Sequence, residues 1–232
     1  MVSSRINATV PAQTRKIGPT RRSVSGVYMF RGKTPVEFES TLERDFLIRQ
    51  EFSLTVLGVI PQPCQIQYLD PATGRHYCYT PDFLVNYKVG SKNSDGCPRP
   101  ILVEVKPEGE WRKNWRKWLP KWKAAYRYAK NQGWVFHIYD ETRLRDQTLR
   151  NIKFLSRYKR RIFPSAESLV ILETVRKMGA TTVGYLLARH FMGAGRSDGL
   201  SHIWHLLAGR KLDCDISGPL DEFTEIWILG HE

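Results

Sequence analysis

The sequence predicts a mixed α/β domain around one sheet, followed by a smaller domain of three helices and a β-hairpin. Three observations carry this. Between residues 36 and 160 helical and period-two apolar patterns follow one another in mixed order. From Ser165 the patterns shorten to three helical segments and two short strands. The charge changes at the same place. Residues 165–232 hold six Lys and Arg against nine Asp and Glu, net −3, whereas the first 164 residues net +16.

The chain has 232 residues, and 41% of them are hydrophobic, enough to bury a core and to exclude wholesale disorder. No apolar run approaches the roughly 18–20 residues that span a bilayer, and residues 1–16 lack the apolar centre of a secretory signal. The net charge of +13 points to a polyanionic partner, nucleic acid being the usual one. Cys64, Cys78, Cys97 and Cys214 show neither CxxC spacing nor a nearby His pair, so they read as reduced thiols rather than a zinc site or disulfide framework.

Taken in order, residues 1–35 read as a flexible basic arm. Arg5, Arg15, Lys16, Arg21, Arg22, Arg31 and Lys33 stand there with no acid at all. An arm of this kind gains attraction from DNA phosphates, which assigns Arg15, Lys16, Arg21 and Arg22 to DNA contact. Residues 36–162 form the main domain. Thr34-Pro35 starts a helix over Val36 to Phe52, with Phe38, Leu42, Phe46 and Leu47 at helical spacing. Gln65 to Tyr68 and Tyr77 to Tyr87 read as strands, the second interrupted at Thr80-Pro81. A loop over Lys88 to Pro100 leads to a short apolar strand, Ile101 to Val105. Trp111 to Gln132 is helical, with Pro120 expected to kink or split it. Trp134 to Tyr139 is a strand and Thr148 to Tyr158 a helix. Residues 163–232 follow, with helices over Ala166–Met178, Thr182–Phe191 and Gly199–Gly209. Strands over Leu212–Ile216 and Thr224–Leu229 complete a winged-helix-like count.

The sharpest chemical signal is Pro81-Asp82 followed by Glu104-Val105-Lys106. Residues two apart on a strand share a face, so Glu104 and Lys106 face one way and Val105 turns into the core. Asp82 on a neighbouring strand brings a second carboxylate to Glu104. Two carboxylates together repel unless a cation bridges them, and oxygen-only donors favour Mg²⁺ or Mn²⁺. The adjacent Lys106 is placed to orient an attacking water. The alternative is a surface strand of alternating charge. Glu39 and Glu43 share a face of the preceding helix and offer a third carboxylate, or simply solvent-facing charge.

These residues resemble a known family. Phe38 to Leu47 (FESTLERDFL), Gln62-Pro63, Tyr79 to Val85 (YTPDFLV) and Leu102 to Pro107 (LVEVKP) are similar, in order, to the motifs of the TnsA family. These are endonuclease subunits of heteromeric transposases. The resemblance implies a restriction-endonuclease-like fold with a C-terminal winged-helix-like domain. It implies a DNA endonuclease dependent on Mg²⁺, with Mn²⁺ substituting, that cuts the 5′ strand at transposon ends. Asp82, Glu104, the Val105 carbonyl and Glu43 would hold metal, and Lys106 would position the water. The implied partners are double-stranded transposon-end DNA, an integrase-type TnsB-like subunit and an AAA+ TnsC-like regulator. The implied place is the bacterial cytoplasm, at the nucleoid. A stand-alone nuclease of the same fold and a non-catalytic DNA-binding adaptor remain the alternatives.

Trp111, Trp115, Trp118 and Trp122 recur at spacings of four, three and four, one helical stripe that reads as core. Arg112, Lys113, Arg116 and Lys117, with Lys121 and Lys123, fill the other faces and read as phosphate contacts. The acidic C-terminal domain reads as a protein-docking module.

Overall fold

The computed structural model describes residues 13–14, 24–88 and 98–228. The chain divides between Leu144 and Arg145 into two compact units.

The first unit is built on a four-stranded mixed sheet. Its strands are β3 (Val56–Pro61), β6 (Phe83–Tyr87), β7 (Ile101–Val105) and β8 (Val135–Tyr139), in that spatial order. The pairs β3–β6 and β6–β7 are antiparallel, and β7–β8 is parallel. Two hairpins flank the sheet: β1 (Gly26–Phe30) with β2 (Thr34–Phe38), and β4 (Ile66–Asp70) with β5 (Arg75–Tyr79). Helix α1 (Thr41–Phe52) covers one face, α2 (Glu108–Asn131) covers the other, and the single turn α3 (Glu141–Leu144) closes the unit.

Strand alternation sorts the core into two layers. Phe83, Val85, Val103 and Val105 pack with Phe46 and Leu47 of α1 and with Phe30, Val36 and Phe38 of the first hairpin. Leu84 and Leu102 point the other way, onto Trp122, Ala124, Ala125 and Ala129 of α2. A sheet buried on both faces needs near-continuous apolar strands, and β6 and β7 have them.

Several expectations change. The arm ends sooner than residue 35, because Gly26 to Phe38 forms a hairpin whose Phe30, Val36 and Phe38 are buried. Thr34-Pro35 therefore lies in a strand and does not begin the helix. Ser40 is the N-cap instead, accepting from the Glu43 N–H. Strand β3 gives no clear pattern in the sequence, since Gly58 interrupts a short apolar run that ends at Pro61. Pro120 does not split α2, which runs unbroken through it. The loss of one N–H bond is offset by the packing of Trp122 and the three alanines.

The second unit contains α4 (Gln147–Ser156), α5 (Ser165–Met178), α6 (Val183–His190) and α7 (Arg196–Ala208). Its antiparallel sheet runs β10 (Asp213–Cys214), β11 (Glu225–Trp227), β9 (Ala180–Thr182). The division falls before α4 and not at residues 162–163. Asn151 of α4 donates to the carbonyls of Ile216 and Gly218, and Phe154 stacks edge-on against Trp204 of α7. Three helices and a hairpin are met in order, and β9 adds a third strand. Among the described residues no helix is long and apolar enough to cross a membrane.

Candidate active site

The site forms where β6 and β7 begin and end side by side. Phe83 pairs with Val103, so the next step of the register sets Asp82 across from Glu104. The Asp82 N–H donates to the Val103 carbonyl at 3.0 Å, and the Val105 N–H donates to Asp82 Oδ2 at 2.7 Å. Asp82 is thus locked to the metal-strand candidate by its own main chain and by its side chain. Glu104 lies on the α2 side with Leu102 and is 1% exposed, which excludes the surface-strand alternative. Lys106 stands just beyond β7, its N–H on the Tyr139 carbonyl at 2.9 Å.

The lysine holds both acids. Lys106 Nζ lies 3.5 Å from Asp82 Oδ2 and 3.8 Å from Glu104 Oε1. Burial and the charge of Glu104 push the Asp82 carboxyl up to about 8. Burial works to lower Lys106, but Asp82, Glu104 and Glu43 outweigh it and raise the ammonium, so it stays charged at neutral pH. Glu43 is buried too, and burial raises it. Its oxygens accept from the Glu39 N–H at 2.8 Å and the Ser40 hydroxyl at 2.9 Å, a capping box at the start of α1. It nonetheless lies close enough to raise both Asp82 and Lys106 electrostatically.

Two further side chains reach Glu104 that sequence reasoning assigned elsewhere. The Tyr79 hydroxyl donates to Oε2 at 2.6 Å, and Lys121 donates to Oε1 at 3.0 Å. Tyr79 belongs to the strand alternation and Lys121 to the basic face, so nothing in residue type singles them out. The signal is spacing: Lys121 is three residues beyond Trp118 and beside Trp122, on the core-facing stripe.

Gln62 also touches the site. Its backbone is left-handed, with φ of 44°, and its N–H donates to the Asp82 carbonyl at 2.8 Å. Its own carbonyl accepts both the N–H and the hydroxyl of Thr14, and its buried side-chain Oε1 has no partner among the described residues.

The donor set fits a hard divalent cation. Asp82 and Glu104 offer only oxygens, and a carboxyl raised to about 8 by burial and a neighbouring acid is a group whose charge such a cation stabilises. Among the described residues no three His, Cys, Asp or Glu gather into a ready-made cage. Mg²⁺ commonly binds one or two carboxylates and leaves its other positions to water and substrate phosphate.

Arg112, Lys113, Arg116 and Lys117 are exposed on the first half of α2. Arg112 pairs with Glu108 at 2.6 Å, and the Arg116 guanidinium lies over the Trp115 ring. The tryptophan stripe is only partly core. Trp122 is buried, Trp111 and Trp118 are half-buried, and Trp115 is 45% exposed. The other DNA-contact candidates, Arg15, Lys16, Arg21 and Arg22, lie outside the described residues. Cys64, Cys78 and Cys214 are free thiols.

Two family models match the chain: TnsA-like endonuclease N terminal over residues 53–141, and TnsA endonuclease C terminal over residues 144–216. Asp82, Glu104, Lys106 and Lys121 fall within the first match, and Glu43 precedes it. A search of curated proteins returned no match.

Proposed function

The chain belongs to the TnsA endonuclease family, and from that premise we propose how it cuts and what it cuts with. Membership makes it a DNA endonuclease subunit of a transposase, working with DNA and with other subunits of that assembly. The proposed reaction is metal-dependent hydrolysis of a phosphodiester in the 5′, non-transferred strand at each transposon end. The observation that carries it is the pair of a buried Glu104 and a half-buried Asp82 on one lysine.

In this reading Asp82, Glu104 and the Val105 carbonyl hold Mg²⁺, or Mn²⁺ in its place, with Glu43 completing the shell or serving a second ion. The bound cation supplies Lewis acidity, lowering the pKa of a water and drawing charge from the phosphate. Lys106 stays protonated, so it acts as a donor: it orients the attacking water and offsets negative charge on the phosphorane. The capping box fixes Glu43 relative to α1, and the Val105 N–H fixes Asp82 relative to β7. Arg112, Lys113, Arg116 and Lys117 hold backbone phosphates beside the strand, and the basic arm adds Arg15, Lys16, Arg21 and Arg22. An integrase-type TnsB-like subunit joins the other strand, and an AAA+ TnsC-like regulator docks on the C-terminal unit. The winged-helix-like reading of that unit and a place at the bacterial nucleoid belong to the same proposal.

The test is nicking of transposon-end DNA in Mg²⁺ or Mn²⁺, with and without the integrase-type subunit of the same locus. Wild type runs beside Asp82→Ala and Lys106→Ala. The expected result is 5′-strand cutting that needs the partner and is abolished in both variants. Partner-independent cutting abolished in both would make the protein a self-sufficient nuclease. Cutting that survives both substitutions would overturn the site.

A further inference from the structure

Glu104 has more positive company than a metal ligand needs. Lys106 approaches Oε1 at 3.8 Å, and Lys121 reaches the same oxygen at 3.0 Å. The Lys121 ammonium also sits 4.7 Å from the Tyr79 ring centroid and 4.9 Å from that of Trp118. Aromatic faces on this side and a carboxylate on the other make a fitted cation seat. The two acids, Asp82 and Glu104, are then faced by two ammoniums, so the pair carries no excess of negative charge before any metal arrives.

From this balance we propose that Lys121 is a resident counter-ion of Glu104 that competes with the divalent cation and is drawn off by a DNA backbone phosphate. The inference rests on the metal reading above and adds its regulation. A dication on Glu104 Oε1 meets an ammonium already bonded to that oxygen, and like charges at such range oppose one another. Lys121 has a way out. Its side chain is a flexible four-carbon stem, it is 16% exposed, and one turn earlier on α2 stands the exposed Lys117. A phosphate lying along that basic face offers Lys121 a new partner and leaves Oε1 to the metal. Tyr79 keeps hold of Oε2 throughout, so the carboxylate does not swing when its counter-ion departs. DNA and metal thus bind with positive coupling, and the DNA-free subunit stays poorly metallated.

The experiment measures Mn²⁺ binding by electron paramagnetic resonance on full-length protein, with and without a cleavage-resistant transposon-end duplex. Without DNA, Lys121→Met is expected to bind Mn²⁺ about tenfold more tightly than wild type. Lys121→Arg, which keeps the charge, should stay weak. Added duplex should tighten wild type and leave Lys121→Met nearly unchanged. Tighter binding in Lys121→Met also reports a folded site, because a collapsed one could only lose affinity. Equal or weaker binding by a Lys121→Met protein with wild-type near-ultraviolet dichroism would overturn the proposal and make Lys121 a plain support for Glu104. Asp82→Asn separates the two readings. If with the duplex present it binds Mn²⁺ as wild type does, the metal site itself is misplaced and this inference falls with it. If it loses binding while Lys121→Met gains none, only the counter-ion role fails.

Discussion

The two units bury polar groups in opposite ways. The first gathers ionisable side chains, with Asp82, Glu104, Lys106 and Lys121 all within one ion-pair network. Among the described residues, the second buries one imidazole. His202 is 1% exposed, its Nε2 shares a hydrogen bond with the Ser168 hydroxyl at 2.8 Å, and its ring stacks on Phe163. Apolar packing would stabilise a fold as well as a buried ion network does, so a network that survives points to chemistry. The His202 Nδ1 has no hydrogen-bond partner among the described residues, the nearest carboxylate oxygen, of Glu167, being 3.7 Å away. Charge differs in degree: the first unit nets +10 and the second +3, the negative balance being confined to residues 165–232.

The sharpest way to break this contrast is to neutralise Asp82. Its folded-state carboxyl titrates at about 8 against an ordinary 3.8, so the folded chain holds a proton that the unfolded chain releases in that window. Stability therefore falls as pH rises from about 4 to about 8. Asp82→Asn removes that fall. Without metal at pH 7.5 it should melt higher than wild type by about 5 °C or more, while cutting nothing. A lower melting point would mean that Asp82 is structural. Calorimetry across pH checks both signs.

A second test concerns the basic face of α2. Changing Arg112, Lys113, Arg116 and Lys117 together to Ala should flatten the salt dependence of DNA binding. The log–log slope should shrink by about 0.9 for each phosphate that is no longer neutralised. An unchanged slope would return these residues to a solvated surface.

Gly199 probes the other unit. A Cβ there would stand 2.1 Å from Phe191 Cγ, near the root of that side chain. Gly199→Ala should cost about 1–3 kcal/mol by denaturant melting. If the C-terminal unit is the docking module, partner-stimulated cutting should suffer more than DNA binding.

The smallest effect belongs to His202. Burial lowers its pKa, so the unfolded chain takes up a proton that the folded chain refuses between that lowered value and 6.5. Stability should drop as pH falls below 6.5, and His202→Gln should lessen the drop. An identical acid limb in the variant would assign it to other groups.

Much of the active site is legible in the sequence because strand alternation is a strict rule. Once Ile101 to Val105 reads as a buried strand, Glu104 must share a face with Leu102, and it does. Pro81 marks the turn that delivers Asp82. Lys121 is not marked by residue type, since it stands among other lysines, and only its spacing from Trp118 shows that it turns inward. Glu43 gives a mixed lesson. Its place on α1 follows from periodicity, but the capping box that holds its oxygens depends on where the helix begins, and Thr34-Pro35 points to the wrong start. The first hairpin is hidden for the same reason: Arg31, Gly32 and Lys33 resemble arm residues, while Phe30, Val36 and Phe38 are pinned by packing against residues far along the chain. The unit boundary is set by Asn151 and Phe154 reaching residues more than forty positions away, which no local pattern encodes.

The hydrogen bonds between Thr14 and Gln62 bear on how the chain can be shortened. Residue 62 holds a backbone conformation that L-residues seldom adopt, and its N–H is spent on the Asp82 carbonyl. Thr14 supplies both of the donors that its own carbonyl receives. A trimmed protein starting at Val24 would leave that carbonyl unmet and release one side of a strained peptide next to Asp82. A crystallographer's natural trimming point at the first hairpin is therefore the wrong place to cut, because it removes Thr14.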